Sequence, residues 1–126
     1  MPKKKARKPA RAKRASQPAS AAMISTDGRK AYRLEVVSID AIEATDHAAA
    51  QAYAEKMGGD LATQIDGKVL QITMPEKFKT DNAYWLKERY AGGSDYAWGQ
   101  WFGNGLQDVW LRSSKRRVVV VRRSPL

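Results

Sequence analysis

The stretch YAWGQWFGNGLQDVW, residues 96–110, holds three tryptophans, a tyrosine, a phenylalanine and three glycines. Read as an extended strand, residues 96–102 alternate in direction. Tyr96, Trp98, Gln100 and Phe102 point one way, and Ala97, Gly99 and Trp101 the other. The first face reads as core, with Trp98 and Phe102 buried. Trp101 and Trp110 read as partly exposed. Gly103-Asn104-Gly105 between two apolar runs signals a hairpin, and DVWLR (108–112) supplies the returning strand. Three uses compete for this aromatic surface: a sugar platform, a nucleic-acid stacking surface, or the plain core of a β-rich domain.

Working outward, RVVVVRR (117–123) is another strand. Its four consecutive valines leave no polar face, which places it centrally and buried on both sides. AYRLEVVSI (31–39) is rich in β-branched and aromatic residues and also reads as a strand. Two helices lie between. Thr45 or Asp46 caps HAAAQAYAEKM, whose apolar stripe is Ala48, Ala52, Tyr53 and Met57, and Gly58-Gly59 stops it. In LATQIDGKVLQITMP, Thr63 and Asp66 have capping-box spacing, although Asp is shorter than the usual Glu. Ile65, Val69 and Ile72 share one face of this second helix; Gly67 weakens it and Pro75 ends it.

Residues 1–22, MPKKKARKPARAKRASQPASAA, differ in kind. Without large apolar side chains after Met1 they cannot offset their ordering entropy, so a disordered basic tail is expected before a single domain at 23–126. The net charge is +10, and eight of the 23 bases but none of the 13 acids lie in this tail. Lys3, Lys4, Lys5, Arg7, Lys8, Arg11, Lys13 and Arg14 thus form a polycation. Such a segment binds polyanions by counterion release, with steep salt dependence. A merely solubilising charge run is the plainer alternative.

The absence of cysteine excludes disulfides, thiolate zinc sites and cysteine nucleophiles. No apolar segment follows the basic start, as a signal peptide would require, and no run is long enough to span a membrane. A soluble protein of a bacterial cytoplasm is expected.

Several motifs in order resemble one family. Gly58-Gly59-Asp60-Leu61-Ala62-Thr63 stands where that family has GG-x-LPT, and Tyr84-Trp85 where it has YW. Tyr96-Ala97-Trp98, Phe102, Asn104-Gly105 and Gln107 match its YAW-x-x-x-F-x-NG-x-Q segment. Arg117-Val118 and Val121-Arg122-Arg123 match its closing strand. Ala62 departs from its proline, Asp66 from its glutamate, Leu86-Lys87 from its Ser-Ser, and Val119 from a frequent arginine. Over residues 45–123 the chain resembles the C-terminal domain of the Legionella collagen-like adhesin, a family found in bacteria, phages and prophages. The resemblance implies an α+β, C-type lectin-like fold: two helices beside an antiparallel sheet with long irregular loops.

Calcium-dependent lectins need a cage of several oxygen ligands. Their Glu-Pro-Asn, Gln-Pro-Asp and Trp-Asn-Asp triplets are absent here, and Asp95 and Asp108 are isolated. No metal site or cofactor is expected, and sugar binding would be calcium-independent. His47 lacks a recognisable nucleophile partner, since Ser113 and Ser114 lie in no nucleophile elbow. Glu35 and Asp40 read as solvated charges. Walker, dinucleotide and zinc motifs are missing. Sulfatase-activating enzymes share the broader fold but use cysteines. The chain is therefore expected not to be an enzyme.

The expectation is a non-catalytic phage or prophage binding module, acting in the host cytoplasm or on the virion. A loop surface around 85–95 and 103–115 would hold a protein or glycan through Trp85, Tyr90, Trp101, Asn104, Gln107 and Trp110. The alternative is a DNA- or RNA-associated protein anchored by the tail, with Lys115, Arg116, Arg122 and Arg123 adding a second cationic cluster. If the last strand packed near Arg112, these cations would form one positive edge.

Overall fold

Four valines organise the architecture. The computed structural model describes residues 31–126 in full and the backbone of 20–25. It is α+β, with two antiparallel sheets and two α-helices. One sheet has the order β1-β2-β7-β3, formed by Ser20–Ser25, Tyr32–Ile39, Val119–Pro125 and Asp60–Leu61. The other is β4-β5-β6, formed by Tyr84–Arg89, Tyr96–Gln100 and Gln107–Leu111. Ser20–Ala22, assigned above to the tail, are the start of β1.

β7 lies inside its sheet, as the valine run requires, and Val118–Val121 are at most 1% exposed. The period of two divides the run between two cores. Val119 and Val121 pack with Leu34, Val36, Leu70, Phe78, Tyr84 and Phe102. Val118 and Val120 pack with Ala50, Ala54, Leu61, Trp85 and Ala97. Tyr84 and Trp85 are split between the cores in the same way, so the first half of β4 is buried on both faces. Backbone bonds from Trp85 N–H to Arg117 O (3.0 Å) and from Arg117 N–H to Ala83 O (2.9 Å) tie the sheets together.

Helix α1 (His47–Lys56) is capped by Asp46, which accepts from Ala49 N–H at 2.8 Å. Thr45 instead forms a backbone bridge with Arg116. The helix buries His47, Ala50 and Ala54; the expected stripe is corrected, since Ala48, Ala52 and Met57 are exposed. An alanine-rich helix has no strong preferred face, and the small Ala50 and Ala54 fit closest against Leu61 and Val120. Gly58 ends α1 at φ 78°, and a Cβ on Gly59 would sit 2.5 Å from the Val121 carbonyl. The glycine pair both turns the chain and lets β3 reach β7.

Helix α2 (Gln64–Thr73) begins with the expected Thr63–Asp66 capping box. Its inward face is Asp66, Gly67 and Leu70, with Met74 beyond. The Ile65–Val69–Ile72 face is corrected: Ile72 is 81% exposed. Polar groups decide this orientation. Asp66 accepts from Thr63 N–H, Tyr32 and Arg123. Gln100 Nε2 donates to Gly67 O, and Gln107 Nε2 donates to Gln64 O, both at 2.8 Å. Pro75 ends the helix with one 3-10 turn, Pro75–Lys77. The connections 40–46, 78–83, 90–95, 101–106 and 112–118 are short, so no long irregular loop occurs among the described residues. No helix among them is long and apolar enough to cross a membrane.

Candidate functional site

The three-stranded sheet presents two faces, and the proposed contact residues are divided between them. β5 and β6 pair as Tyr96↔Leu111, Trp98↔Val109 and Gln100↔Gln107, so these six share the face toward α2. The helix covers only the hairpin end, through Gln100, Phe102, Gly105 and Gln107. At the opposite end Tyr90, Tyr96 and Leu111 are 40%, 40% and 48% exposed. Tyr90 N–H donates to Tyr96 O at 2.9 Å, and the Tyr90 ring meets Trp98 edge-on at 6.1 Å. Both tyrosine rings flank the Gly92-Gly93 backbone. Tyr96 and Leu111 were not singled out from sequence; alternation put Tyr96 on the core-like face, and only the reach of α2 leaves it open.

On the other face Trp101 and Trp110 meet at 6.3 Å, nearly perpendicular at 74°. Both are partly buried. Trp110 lies over Gly99, and the Arg116 guanidinium sits 4.6 Å from its ring centroid. A ligand stacking on that side of Trp110 has to displace Arg116. Arg116 also donates from NH1 to Asn82 Oδ1 at 3.0 Å, while its buried Nε has no partner. Burial lowers its pKa.

Three other candidates turn inward or serve the fold. Trp85 is fully buried, and its Nε1–H donates to Thr45 O at 2.8 Å, so it offers no contact surface. Asn104 Oδ1 accepts from Leu106 N–H at 3.0 Å and shapes the hairpin turn. Gln107 links α2 to Gln100. β6 is an edge strand, and it is closed locally. Asp108 Oδ1 accepts from Val109 N–H, and Ser114 N–H donates to Leu111 O.

The basic residues do not form one edge. Arg112 stands at the start of α1, where its carbonyl accepts from His47 N–H at 2.9 Å. Arg122 lies past the other end, with Nε donating to Gly58 O at 3.3 Å. Ten helical residues separate these points, about 15 Å. Arg123 is committed to Asp60, Asp66 and Leu61 O, so its guanidinium serves the fold. Lys115 is exposed. Arg122 is 46% exposed and lies 3.7 Å from Glu35. Lys3, Lys4, Lys5, Arg7, Lys8, Arg11, Lys13 and Arg14 lie outside the described residues.

His47 is 3% exposed. Its Nε2 meets Leu86 O at 2.8 Å, a carbonyl that can only accept, so the proton is on Nε2. Nδ1 then accepts from Arg112 Nε at 3.3 Å. Burial lowers its pKa, and the nearby Arg112 acts in the same direction. Asp40, expected to be a solvated charge, is instead held by Arg117 and Tyr84 and sits at φ 56°. Among the described residues no cluster of three or more His, Cys, Asp or Glu has the placement to hold a metal. No protein-family model matches the chain, and no curated protein matches it either.

Proposed function

We propose that the chain is a non-catalytic, calcium-independent binding module of C-type lectin-like build, serving a phage or prophage and holding a protein or glycan partner. The single observation that carries this reading is the exposed Tyr90–Tyr96–Leu111 end of the three-stranded sheet, beyond the cover of α2. Large aromatic side chains left open together, without a hydrogen-bond network among catalytic groups, suit recognition better than chemistry. The lectin-like reading is supported by two helices beside antiparallel sheets and by the Gly58-Gly59 and Asn104-Gly105 motifs at structural turns. The short loops depart from it, and the contact surface is made by the strand residues Tyr96 and Leu111 with Tyr90 of the short 90–95 connection.

The test is binding of the full chain to host-cell envelope glycans and host protein extracts, beside Tyr90→Ala/Tyr96→Ala and Trp101→Ala variants of verified fold. Loss in the tyrosine variant alone supports this surface. Equal binding by all three sinks the assignment.

A second reading, association with DNA or RNA through the basic tail, has its own observation. Ser20, where the described chain begins, pairs with Glu35, and Glu35 pairs with Arg122. The polycation is thus continuous in sequence with a strand that lies two strands from the exposed Arg122.

A further inference from the structure

His47 is the only histidine in the chain, and the fold uses it in one protonation state. It stands at the start of α1, 3% exposed, with its ring edge-on to Trp85 at 5.1 Å. Both ring nitrogens meet groups that fix their roles. Leu86 O on β4 accepts the Nε2 proton at 2.8 Å, and Arg112 Nε aims its own proton at the Nδ1 lone pair from 3.3 Å. A second proton on Nδ1 abolishes that acceptor and sets an imidazolium against a guanidinium. The charged groups that act on the ring are Arg112 after β6, Arg89 at the end of β4 and Asp46 at the cap of α1. Asp46 is engaged with Ala49 N–H, and the two arginines outnumber it. The free N–H groups of the first turn of α1 also disfavour a cation at this position.

We propose that His47 is an acid-released latch: neutral, it holds Arg112 and the end of β6 against α1 and β4; protonated, it lets Arg112 go and frees residues 112–114. The two residues are also joined through the backbone, where His47 N–H donates to Arg112 O at 2.9 Å, and Arg112 N–H donates to Asp95 O at 2.8 Å. The freed segment has a defined end. Lys115 O accepts from Asn82 Nδ2 at 3.0 Å, and Thr45 bridges Arg116, so release leaves Val118–Val121 in place. In the opened segment the histidine recovers its ordinary pKa of 6.5. The open fraction therefore rises about tenfold per pH unit below that value, until the closed form also takes up the proton. The latch does not depend on what the domain binds.

The experiment is an NMR titration of the full chain from pH 8 to 4, following the single histidine ring, Arg112 Nε–H and the amides of residues 112–114. The ring is expected to titrate below pH 6.5. Over the same range Arg112 Nε–H and these amides should lose protection from solvent exchange, about tenfold per pH unit, while the Val119–Val121 amides stay more protected throughout. His47→Gln keeps a donor for Leu86 O and an acceptor for Arg112 without a titrating group, so its Arg112 signal should not respond. Arg112→Ala should raise the midpoint of the ring toward 6.5, because the cation facing Nδ1 is gone. A ring that titrates while Arg112 Nε–H keeps its protection overturns the latch, and so does a midpoint unmoved in Arg112→Ala. Equal loss of protection at Arg112 and at Val119–Val121 means that only global unfolding is linked to the proton, and overturns it too. The wild-type and Arg112→Ala titrations decide the matter should His47→Gln fail to fold.

Discussion

Arg123 holds Asp66 with two donors, Nε at 2.9 Å and NH2 at 2.6 Å, both to Oδ2. Asp66 is fully buried on α2, and Arg123 lies on β7. The guanidinium also donates to Asp60 and to Leu61 O, so one side chain joins β7, β3 and α2.

Breaking a buried pair leaves an uncompensated charge. Arg123→Gln is expected to destabilise the fold by about 3–5 kcal/mol. Arg122→Gln, one residue away and half exposed, is expected to change stability by less than about 0.5 kcal/mol. Urea denaturation of the two variants checks the contrast. Similar midpoints would mean that Arg123 is not the joint described.

Stability should fall with acid in two separate windows. Burial depresses the His47 pKa below 6.5, so the unfolded chain takes up its proton first. The stability of neutral His47 is full above pH 6.5 and is lost as pH falls from there toward the folded value. Burial alone would raise Asp60, but hydrogen bonds from Lys87, Gln51 and Arg123 prevail and hold it at about 2. Its contribution is full above pH 3.8 and is lost as pH falls toward 2. His47→Gln should flatten the upper window and leave the lower one. The measurement is unfolding free energy from pH 8 to 2.

A Cβ on Gly67 would stand 2.4 Å from Gln100 Oε1 and 3.2 Å from Leu86 Cδ2. Gly67→Ala therefore forces the glutamine bridge apart and should cost about 1–3 kcal/mol despite the better helix propensity of alanine. Gln100→Ala removes the obstacle. The double variant should be more stable than the sum of the single losses by about 0.5–3 kcal/mol, as a double-mutant cycle measures. Simple additivity would deny the contact.

Tyr90→Ala/Tyr96→Ala should leave the fold near wild-type stability, within about 1 kcal/mol, because neither ring is in a core. Trp85→Ala should cost about 3–5 kcal/mol. Thermal melts of both proteins test whether the open end of the sheet is surface and Trp85 is structure.

What the residues disclose locally, they disclose well. Val118–Val121 announce a central strand because no polar residue interrupts them, Thr63 and Asp66 announce a helix start, and Asn104-Gly105 a turn. The helix faces were not legible. α1 offers alanine on every side, so burial follows the fit against Leu61 and Val120. α2 turns Asp66 and Gly67 inward and leaves Ile72 in water, because Arg123 and Gln100 supply partners that lie 57 and 33 residues away in the chain. Which of the aromatic residues stay open was hidden for the same reason. Trp85 and Trp110 are alike as letters; the core of Ala50, Ala54 and Val120 encloses the first, and only the second reaches the surface.

The position of β7 also governs how the molecule comes into being. Every other described element precedes it in the chain, yet Val118–Val121 complete both cores and β7 separates β2 from β3. Its partner Ile39 lies eighty residues upstream of Val119, a separation that delays pairing. A ribosome that has just finished the β5–β6 hairpin holds a chain with both apolar interiors still open. Folding must wait for the valines, and a nascent chain halted before them is material for chaperones and proteases.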